Sequence, residues 1–412
     1  MKVLLSAYAC EPGRGSEPGV GWRWTCGLAG RVELTVLTRA NNRETIERAV
    51  ASVGQDDPLR RVRFVYHDLP ASWIRLKRSG LLPTMLYYML WQWTAARKCG
   101  GMLDEVDVVH HLTFCTPLCP GFWPDGKATR VIGPVGAPLV NPHYLGLFGS
   151  GKWAQRLRGA LLRRLTWVPW LRRAFRNAAA VFPANTEAKE LLEAQGVTCQ
   201  PVMLDTGAPE SQPTTQNQQP TTGEAGCRFL YAGVLERRKG LELALRAFAS
   251  SIHNPQSTIH NQLSFTLLGD GPDRQRLERL AESLGIADHV HFPGRVSHED
   301  VARYFREADT FVFTSVRDTS GGVNLEAMAY GLPILCIAHQ GVGDITDETC
   351  AIRVSPGPIP KTIDALADGM QRLAADPALR RELGENARRR ARECFSWDEK
   401  FERMMEVYAS DR

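Results

Sequence analysis

Residues 314–335 read TSVRDTSGGVNLEAMAYGLPIL, and this stretch decides the fold because its pattern changes twice. It follows the apolar run 310–313, which has the length of a buried strand, and it contains the helix-forming run 325–329. Between the two runs lies a polar loop with Gly321 and Gly322, where a backbone can approach a ligand closely. The pattern therefore predicts strand, loop and helix, with free N–H groups at the helix start that favour a phosphate or sugar hydroxyls.

Two carboxylates bracket this loop. Asp318 and Glu326 stand eight residues apart, with both glycines between them. Acidic side chains near the start of a helix also cap its N–H groups and offset its dipole. The spacing alone therefore leaves a ligand-binding role and a purely structural role open.

The stretch resembles the signature of the retaining glycosyltransferases of family 4, which have the two-domain GT-B fold. That signature is an acid, seven residues and a Glu, then Ala-Met-Ala or similar, a Gly and a Pro; here it comprises Asp318, Glu326, residues 327–329, Gly331 and Pro333. The first acid is normally Glu, so Asp318 is one methylene shorter. Its contact with the sugar hydroxyls must be rebuilt or bridged by water, and we interpret it as a variant of the site.

The resemblance also assigns roles within the loop. It implies that Glu326 holds the ribose of a nucleotide-sugar donor. It further implies that backbone amides face the donor sugar and its diphosphate, namely those of Gly321, Gly322, Val323 and Asn324.

A basic turn at residues 234–240, VLERRKG, precedes another predicted helix. Arg237, Arg238 and Lys239 there would neutralise a diphosphate that backbone amides also attract, although a solvated basic turn fits the sequence as well. The resembled family has an Arg after one Gly and a Lys before the second. Lys239 matches, but Val234 occupies the Arg position, so either Arg237 or Arg238 would have to substitute.

The first residues have the pattern of a βαβ unit. Residues 1–8 and 32–38 are predicted strands, and the Gly/Pro-rich stretch 10–21 is a predicted loop before a helix. The chain lacks Gly-x-Gly-x-x-Gly, which argues against a dinucleotide site. A tight turn would explain the loop, whereas the resemblance implies that it closes over the donor diphosphate through Gly19 and Gly21.

Two adjacent histidines end the predicted buried strand 107–111. Side chains alternate along a strand, so only one of His110 and His111 can face a given crevice. The resembled family often has a His here that reaches the donor sugar, in an Asp-Val-x-His-x-His pattern. The sequence leaves open which of the two has this role, and a structural role stays open for each.

Length and composition fit a globular protein of two domains. The chain has 412 residues, 43% hydrophobic and 23% charged, with a mild net charge of +5. Its ten cysteines include no Cys-x-x-Cys pair, which is typical of reduced thiols. We find no apolar run of membrane-spanning length and no signal-peptide pattern. We therefore expect a cytoplasmic protein.

We expect an α/β protein of the GT-B class, with two Rossmann-like, doubly wound domains facing across a cleft. The predicted divisions are an N-terminal domain at 1–207 that ends with a strand at 201–205, a polar linker at 208–226, a C-terminal domain at 227–394 with a polar insertion at 253–262, and a terminal helix at 395–412. The resemblance implies that the first domain receives the acceptor, that the second binds the donor, and that the terminal helix returns to the first domain. The resemblance also makes the backbone groups of Arg295 and Val296 candidates to border the donor base.

The resemblance implies a retaining transfer of a sugar from a nucleotide-diphosphate donor to a hydroxyl of a sugar, glycan or lipid-linked acceptor, in polysaccharide or glycolipid assembly. The candidate catalytic residues are His110, His111, Lys239 and Asp318. No Asp-x-Asp is present, so we expect neither a metal nor another cofactor, and cations would stabilise the leaving diphosphate. The alternatives are a GT-B nucleotide-sugar epimerase or phosphorylase, and a non-catalytic nucleotide-sugar binding module.

A last stretch, residues 152–176, holds eight Lys or Arg and no acid, interleaved with Trp and Leu. One interpretation is a helix that packs its apolar side on the first domain. The other is a basic amphipathic segment that lies on an anionic membrane, which would be a peripheral contact with the inner face.

Residues 73–98 are rich in Trp, Tyr, Leu and Met and are predicted as a core helix. No nucleic-acid partner is expected.

Overall fold

The computed structural model describes residues 1–80, 82–114, 116–209, 226–254 and 262–410. By their contacts these residues form two compact units: unit 1 comprises Met1–Ala137, Ala160–Thr206 and Trp397–Arg412, and unit 2 comprises Pro138–Gly159 and Gly207–Ser396. The predicted linker 208–226 and a polar insertion expected at 253–262 lie mostly outside the described residues. The segment 138–159 contacts unit 2, a connection that the predicted domain boundaries do not include.

Unit 1 is built on a parallel six-stranded sheet in the order β3-β2-β1-β4-β5-β6. Its strands are β1 (Lys2–Ala7), β2 (Glu33–Arg39), β3 (Arg63–His67), β4 (Val108–Thr113), β5 (Thr129–Val135) and β6 (Ala180–Pro183). Its helices are α1 (Ser16–Ala29), α2 (Arg43–Ser52), α3 (Ala71–Arg78), α4 (Thr84–Lys98), α6 (Pro169–Arg176), α7 (Thr186–Glu193) and α15 (Trp397–Ala409). A further helix, α5 (Lys152–Leu162), begins in unit 2 and ends in unit 1.

Both faces of the unit 1 sheet are covered, which explains why its strands are apolar without alternation. On one face, Val3 and Leu5 of β1 share a core with Trp24 of α1 and with the apolar side of α15. On the other face, Leu4 shares a core with Tyr88 of α4. The last helix therefore completes the core that the first strand begins.

Unit 2 has a second parallel six-stranded sheet, in the order β12-β11-β10-β7-β8-β9. Its strands are β7 (Cys227–Ala232), β8 (Leu263–Leu268), β9 (Val290–Gly294), β10 (Thr310–Phe313), β11 (Ile334–Ile337) and β12 (Ala351–Val354). Its helices are α8 (Leu241–Ile252), α9 (Arg274–Ser283), α10 (His298–Glu307), α11 (Val323–Ala329), α12 (Gln340–Ile345), α13 (Ile359–Ala375) and α14 (Pro377–Cys394).

The core of unit 2 also includes residues from the segment 138–159. Tyr144 is buried among the side chains of this core, and its hydroxyl lies 3.1 Å from the Thr362 hydroxyl of α13.

Both units have the doubly wound strand order in which the winding direction reverses. The reversal lies between β1 and β4 in unit 1 and between β7 and β10 in unit 2. Two Rossmann-like sheets were predicted, and two are present.

Three local expectations were wrong. Helix α1 begins at Ser16, so the loop predicted at 10–21 ends earlier. Residues 201–205, expected as a strand, are not one. The stretch 73–98 forms parts of two helices whose large apolar side chains are partly exposed, so it is not a single core helix.

Candidate functional site

The two motifs that the sequence singled out in unit 2 meet at the reversal point of its sheet. The basic turn follows β7 and the Asp318 loop follows β10, and these two strands are hydrogen-bonded neighbours. In open parallel sheets, ligands bind beyond the carboxyl ends of the strands at this point. The topology therefore brings Arg238, Lys239 and Asp318 to the place where a ligand is expected.

One carboxylate oxygen holds the cluster together. The Lys239 ammonium donates to Oδ2 of Asp318, and Nη1 of Arg238 lies 3.6 Å from the same oxygen. The Ser315 hydroxyl lies 3.3 Å from Oδ2, and the Thr319 N–H donates to Oδ1 at 3.0 Å. Asp318 is thus bound by two cations and by its own loop.

Burial and charge compete in this cluster. Burial raises the pKa of the Asp318 carboxyl, but Lys239 and then Arg238 outweigh it, so the pKa lies below its usual value. Burial lowers the pKa of the Lys239 ammonium, and the attraction of Asp318 offsets this only in part. Arg238 also donates to both carboxylate oxygens of Glu236, at 3.1 and 3.3 Å, so two cations and two carboxylates meet next to the expected ligand position.

The turn and the strand end are also joined through the backbone. The Arg238 carbonyl accepts hydrogen bonds from the Val316 N–H at 2.8 Å and the Ser315 hydroxyl at 3.1 Å. The Thr314 hydroxyl donates to the Lys239 carbonyl at 3.1 Å. These bonds fix the basic turn against the Asp318 loop.

Sequence reasoning missed two residues that support this loop from the β11–α12 connection. Gln340 accepts a 2.6 Å hydrogen bond from the Asp318 N–H and donates a 2.5 Å bond to the Leu139 carbonyl. Nε2 of His339 lies 2.7 Å from the Ser315 carbonyl. Neither residue belongs to the signature or to a periodic pattern, so nothing in the local sequence marked them.

The glycine loop itself adopts a turn that requires a glycine. Gly321 has φ +66°, and a Cβ there would lie 2.9 Å from Nδ2 of Asn324, whose side chain donates to the Gly321 carbonyl at 2.7 Å. Gly322 and Val323 lead into α11, and Glu326 is exposed in its first turn. The loop is therefore fixed by Asn324, while Glu326 stays accessible.

The remaining unit 2 residues predicted to bind the donor contact residues outside this cluster or follow another strand. Arg237 donates to the Leu147 carbonyl at 2.9 Å and lies 3.7 Å from Asp273. Arg295 and Val296 follow β9, which is two strands away from β7 in the sheet. Of the two arginines considered as the substitute at Val234, Arg238 is the one beside Asp318.

In unit 1 both histidines of β4 are fully buried. The ring nitrogens of His110 lie 2.6 Å from the Tyr408 hydroxyl and 2.6 Å from the Gly133 carbonyl, and burial lowers its pKa to about 4. Nε2 of His111 lies 3.1 Å from the Tyr88 hydroxyl, and burial lowers its pKa to about 3. Both imidazoles are therefore neutral near pH 7, and a donor contact by either stays a prediction.

His111 also lines a cavity of about 420 Å³ in unit 1. The other walls are the loop before β5, strand β5 and helix α6, with Phe122, Trp123, Asp125, Arg130 and Trp170 among them. The cavity lies along one face of the sheet. His110 faces the opposite core, against Trp24 and Tyr408.

Gly19 and Gly21 lie inside α1 and not in a loop. A Cβ on Gly19 would lie 2.1 Å from the Arg14 carbonyl oxygen, and one on Gly21 would lie 2.0 Å from the Ala9 carbonyl oxygen. Both glycines thus let the segment after β1 pack against the helix. This packing accounts for them whether or not a donor contacts them.

A polar cluster at the carboxyl edge of the unit 1 sheet was not predicted. Lys77 donates to the Tyr8 hydroxyl at 3.0 Å, and the Arg39 guanidinium lies 4.6 Å from the Tyr8 ring centre. The Tyr87 hydroxyl donates to Asp68 at 3.3 Å. These side chains come from separate elements, so no local motif could reveal them.

Among the described residues, no three His, Cys, Asp or Glu side chains come together as metal ligands would. Within the same residues, no helix has the length and apolarity needed to cross a membrane.

The comparison with known families decides the relationship. Residues 214–390 match the family model of the glycosyl transferases group 1, a span that includes both halves of the Lys239–Asp318 cluster. This part of the chain, 43% of its length, is similar to the glycosyl transferases of group 1. The expected resemblance is thus confirmed for the part of the chain that contains the reversal point of the unit 2 sheet.

Curated relatives of this family are similar over part of the chain. An uncharacterised glycosyltransferase of Methanocaldococcus jannaschii is 31% identical over 44% of this chain and 44% of its own. The lipopolysaccharide glucosyltransferase of Escherichia coli is 33% identical over 40% of this chain and 42% of its own. The match to these relatives spans less than half of their length.

Solved structures share the fold over the whole chain. Sucrose-phosphate synthase from Thermosynechococcus elongatus has a TM-score of 0.63 at 20% identity, covering 99% of this chain and 98% of its own. Anabaena HepE in complex with UDP and glucose has a TM-score of 0.59 at 15% identity, covering 100% of both chains. The two-domain α/β architecture of the GT-B glycosyltransferases is therefore confirmed.

Proposed function

We propose that this chain transfers a sugar from a nucleoside-diphosphate donor to a hydroxyl of a sugar, glycan or lipid-linked acceptor, with retention at the anomeric carbon. The observation that carries the proposal is the partly buried Lys239–Asp318–Arg238 cluster at the reversal point of the unit 2 sheet. The complex of HepE with UDP and glucose supports a donor of this class. The name of the Escherichia coli relative supports a role in polysaccharide or glycolipid assembly.

The cluster suits the charge changes of such a transfer. The bond between the anomeric carbon and the diphosphate oxygen breaks, and a bond to the acceptor oxygen forms while the acceptor hydroxyl gives its proton to the leaving diphosphate. Negative charge grows on the diphosphate oxygen before the proton arrives. Lys239 and Arg238 are already fixed before the reaction, and preorganised cations stabilise such charge best in a water-poor site. Asp318 keeps both cations in place and offers its carboxylate to sugar hydroxyls, while Glu326 would accept from the ribose.

We propose that no metal takes part, because Lys239 and Arg238, although paired with Asp318 and Glu236, lie at the reversal point where the diphosphate is expected. Turnover should therefore survive EDTA. Loss of activity with EDTA that magnesium or manganese restores would contradict this part of the proposal.

A thermal-shift screen of nucleotides and nucleotide sugars tests the proposal most directly. A ligand at 100 times its dissociation constant adds about 2.7 kcal/mol of stability. Lys239→Ala should remove most of this shift, whereas Lys361→Ala, which changes an exposed lysine of α13, should leave it unchanged. The stabilising nucleotide sugar is then incubated with candidate acceptors, and product is measured by mass spectrometry.

Equal shifts in the two lysine variants, or no shift with any nucleotide sugar, would contradict the proposal. Binding of a donor that is not consumed with any acceptor would favour the binding-module alternative. Conversion of the donor without an acceptor would favour an epimerase.

A further inference from the structure

Two segments of the chain share an unusual composition. Residues 71–98 contain five Lys or Arg, residues 152–176 contain eight, and neither segment contains an acid. The whole chain has 50 Lys and Arg against 45 Asp and Glu. Since these thirteen cations exceed the net charge of +5, the rest of the chain is net negative. The positive charge is therefore concentrated in these two segments.

The same two segments hold every exposed large apolar side chain among the described residues. There are ten, with exposed fractions from 37% for Val168 to 77% for Trp167: Trp73, Leu76, Met85, Leu86, Trp93, Trp153, Leu157, Leu161, Trp167 and Val168. Scattered exposed apolar residues need no explanation, but a concentration of this kind marks an interaction surface. We call the parts of these segments that belong to unit 1 the basic-aromatic surface: α3, α4 and residues 160–176.

These parts lie on one side of the unit 1 sheet. Tyr88 of α4 shares a core with Trp123, and Phe122 packs against that core. Phe122 in turn stacks on Trp170 of α6, with ring centres 4.7 Å apart. Helices α4 and α6 therefore cover the same face of the sheet. Leu162, which is buried, anchors the segment that precedes α6.

Cations and exposed indoles occur side by side within the surface. The Arg97 guanidinium lies 3.6 Å from the Trp93 ring centre, and that of Arg164 lies 5.2 Å from Trp167. Tryptophan prefers the headgroup level of a bilayer, and Lys or Arg near it is attracted to anionic lipids. Basic residues with aromatic rings also suit single-stranded nucleic acid. The exposed Leu and Met side chains favour a bilayer, because they cannot stack on bases but can enter the acyl boundary.

We propose that the basic-aromatic surface binds an anionic lipid bilayer, with Trp93 and Trp167 at the headgroup level. This inference goes beyond sugar transfer and does not depend on it. It would hold the protein at a membrane without a spanning segment among the described residues, by the combination of apolar insertion and charge that surface-lying helices use.

Sedimentation with liposomes tests the proposal. The full chain should sediment with vesicles of phosphatidylcholine and phosphatidylglycerol at low salt, release as salt rises, and not bind phosphatidylcholine alone. The triple variant Arg163→Glu, Arg164→Glu and Arg172→Glu should bind at least tenfold more weakly. Arg173 is left unchanged because it pairs with Asp125. The double variant Trp93→Ser and Trp167→Ser should also bind more weakly, but its binding should remain more sensitive to salt than that of the triple arginine variant.

A matched control separates this surface from charge in general. Arg279→Glu, Arg306→Glu and Arg381→Glu change three exposed arginines of unit 2 by the same total charge and should leave vesicle binding unchanged. Circular dichroism and thermal melting confirm that each variant is folded. Equal binding to neutral and anionic vesicles, equal losses in the two triple variants, or binding to single-stranded DNA instead of vesicles would overturn the proposal.

Discussion

At the scale of single residues, Asp318 shows how a shorter acid is accommodated. Its Oδ2 accepts hydrogen bonds from Lys239 and Ser315 and pairs with Arg238. Its Oδ1 accepts a hydrogen bond from the N–H of Thr319 in its own loop. The shorter side chain thus places the carboxylate among these groups inside the protein. A donor sugar would meet a carboxylate whose position is already fixed.

Asp318→Asn should change the pH profile of turnover. Burial already lowers the Lys239 pKa, and Asp318 offsets part of that effect. Without the carboxylate the Lys239 pKa falls further, so the loss of activity with rising pH should begin at a lower pH than in the wild type. The kcat/KM profile between pH 6 and 10 measures this shift. An unchanged basic limb would mean that Lys239 is not the titrating group.

Gln340 is expected to be a positioning residue. Its φ of +52° is unfavourable for a residue with a side chain, yet its amide joins the Asp318 N–H to the Leu139 carbonyl. Gln340→Gly relieves about 1–2 kcal/mol of backbone strain while it removes both hydrogen bonds. Melting temperature should therefore change little, whereas kcat/KM for the donor should fall about tenfold, on the order of 1.4 kcal/mol.

Comparison of kcat/KM with the melting temperature distinguishes this role from a structural one. A loss in kcat/KM with an unchanged melting temperature supports positioning of the Asp318 loop. Equal activity of Gln340→Gly and the wild type would show that the loop keeps its geometry without this amide.

The sequence led to part of this site because charged residues in glycine-containing loops are visible as motifs. Arg238, Lys239 and Asp318 belong to such motifs, and the structure brings them together. Gln340 and His339 could not be found, since an uncharged amide and a lone imidazole act here only through contacts with a distant loop.

At the scale of elements, α1 shows why a helix start was missed. Its first residues, Ser16 to Pro18, have the composition of a loop. Proline is tolerated in the first turn of a helix because its missing N–H has no partner there. The strands were easier to predict, since a strand buried on both faces is a continuous apolar run that is visible locally.

Gly21→Ala should destabilise unit 1. The new methyl group would meet the Ala9 carbonyl oxygen at 2.0 Å, so the helix or the segment after β1 must shift, at a cost of about 1–3 kcal/mol. Gly15→Ala is the control, because that glycine precedes the same helix at φ −84° and its Cβ would meet nothing within 4 Å. Urea unfolding of both variants measures the difference. Equal stability would mean that α1 has room to move.

At the scale of the whole molecule, the chain crosses between the two units four times. The alternating strand and helix patterns of the sequence predicted the doubly wound order of each sheet. They did not predict that the segment 138–159 belongs to unit 2. That segment contributes Tyr144 to the unit 2 core, and contacts between distant parts of a chain leave no local period in the sequence.

Deletion of residues 397–412 should unfold unit 1 and leave unit 2 folded. Helix α15 contributes Trp397, Phe401, Met404 and Tyr408 to the unit 1 core, whereas unit 2 has a core of its own. Of the ten tryptophans only Trp153 lies in unit 2, so tryptophan fluorescence reports almost entirely on unit 1. We expect a red-shifted emission spectrum together with retained helical circular dichroism. A native emission spectrum in the deletion variant would contradict this assignment.

The position of α15 in the chain also sets an order of events during synthesis. A ribosome that adds about 5–20 residues per second needs roughly 10–40 seconds to make the part of the chain between Thr206 and Trp397. During that delay unit 2 emerges and can fold, while the nascent unit 1 exposes the side of Trp24 that α15 will later cover. Unit 1 is therefore synthesised first but completes its core last. We expect a chaperone of nascent chains to bind the apolar surface that unit 1 exposes until α15 is made.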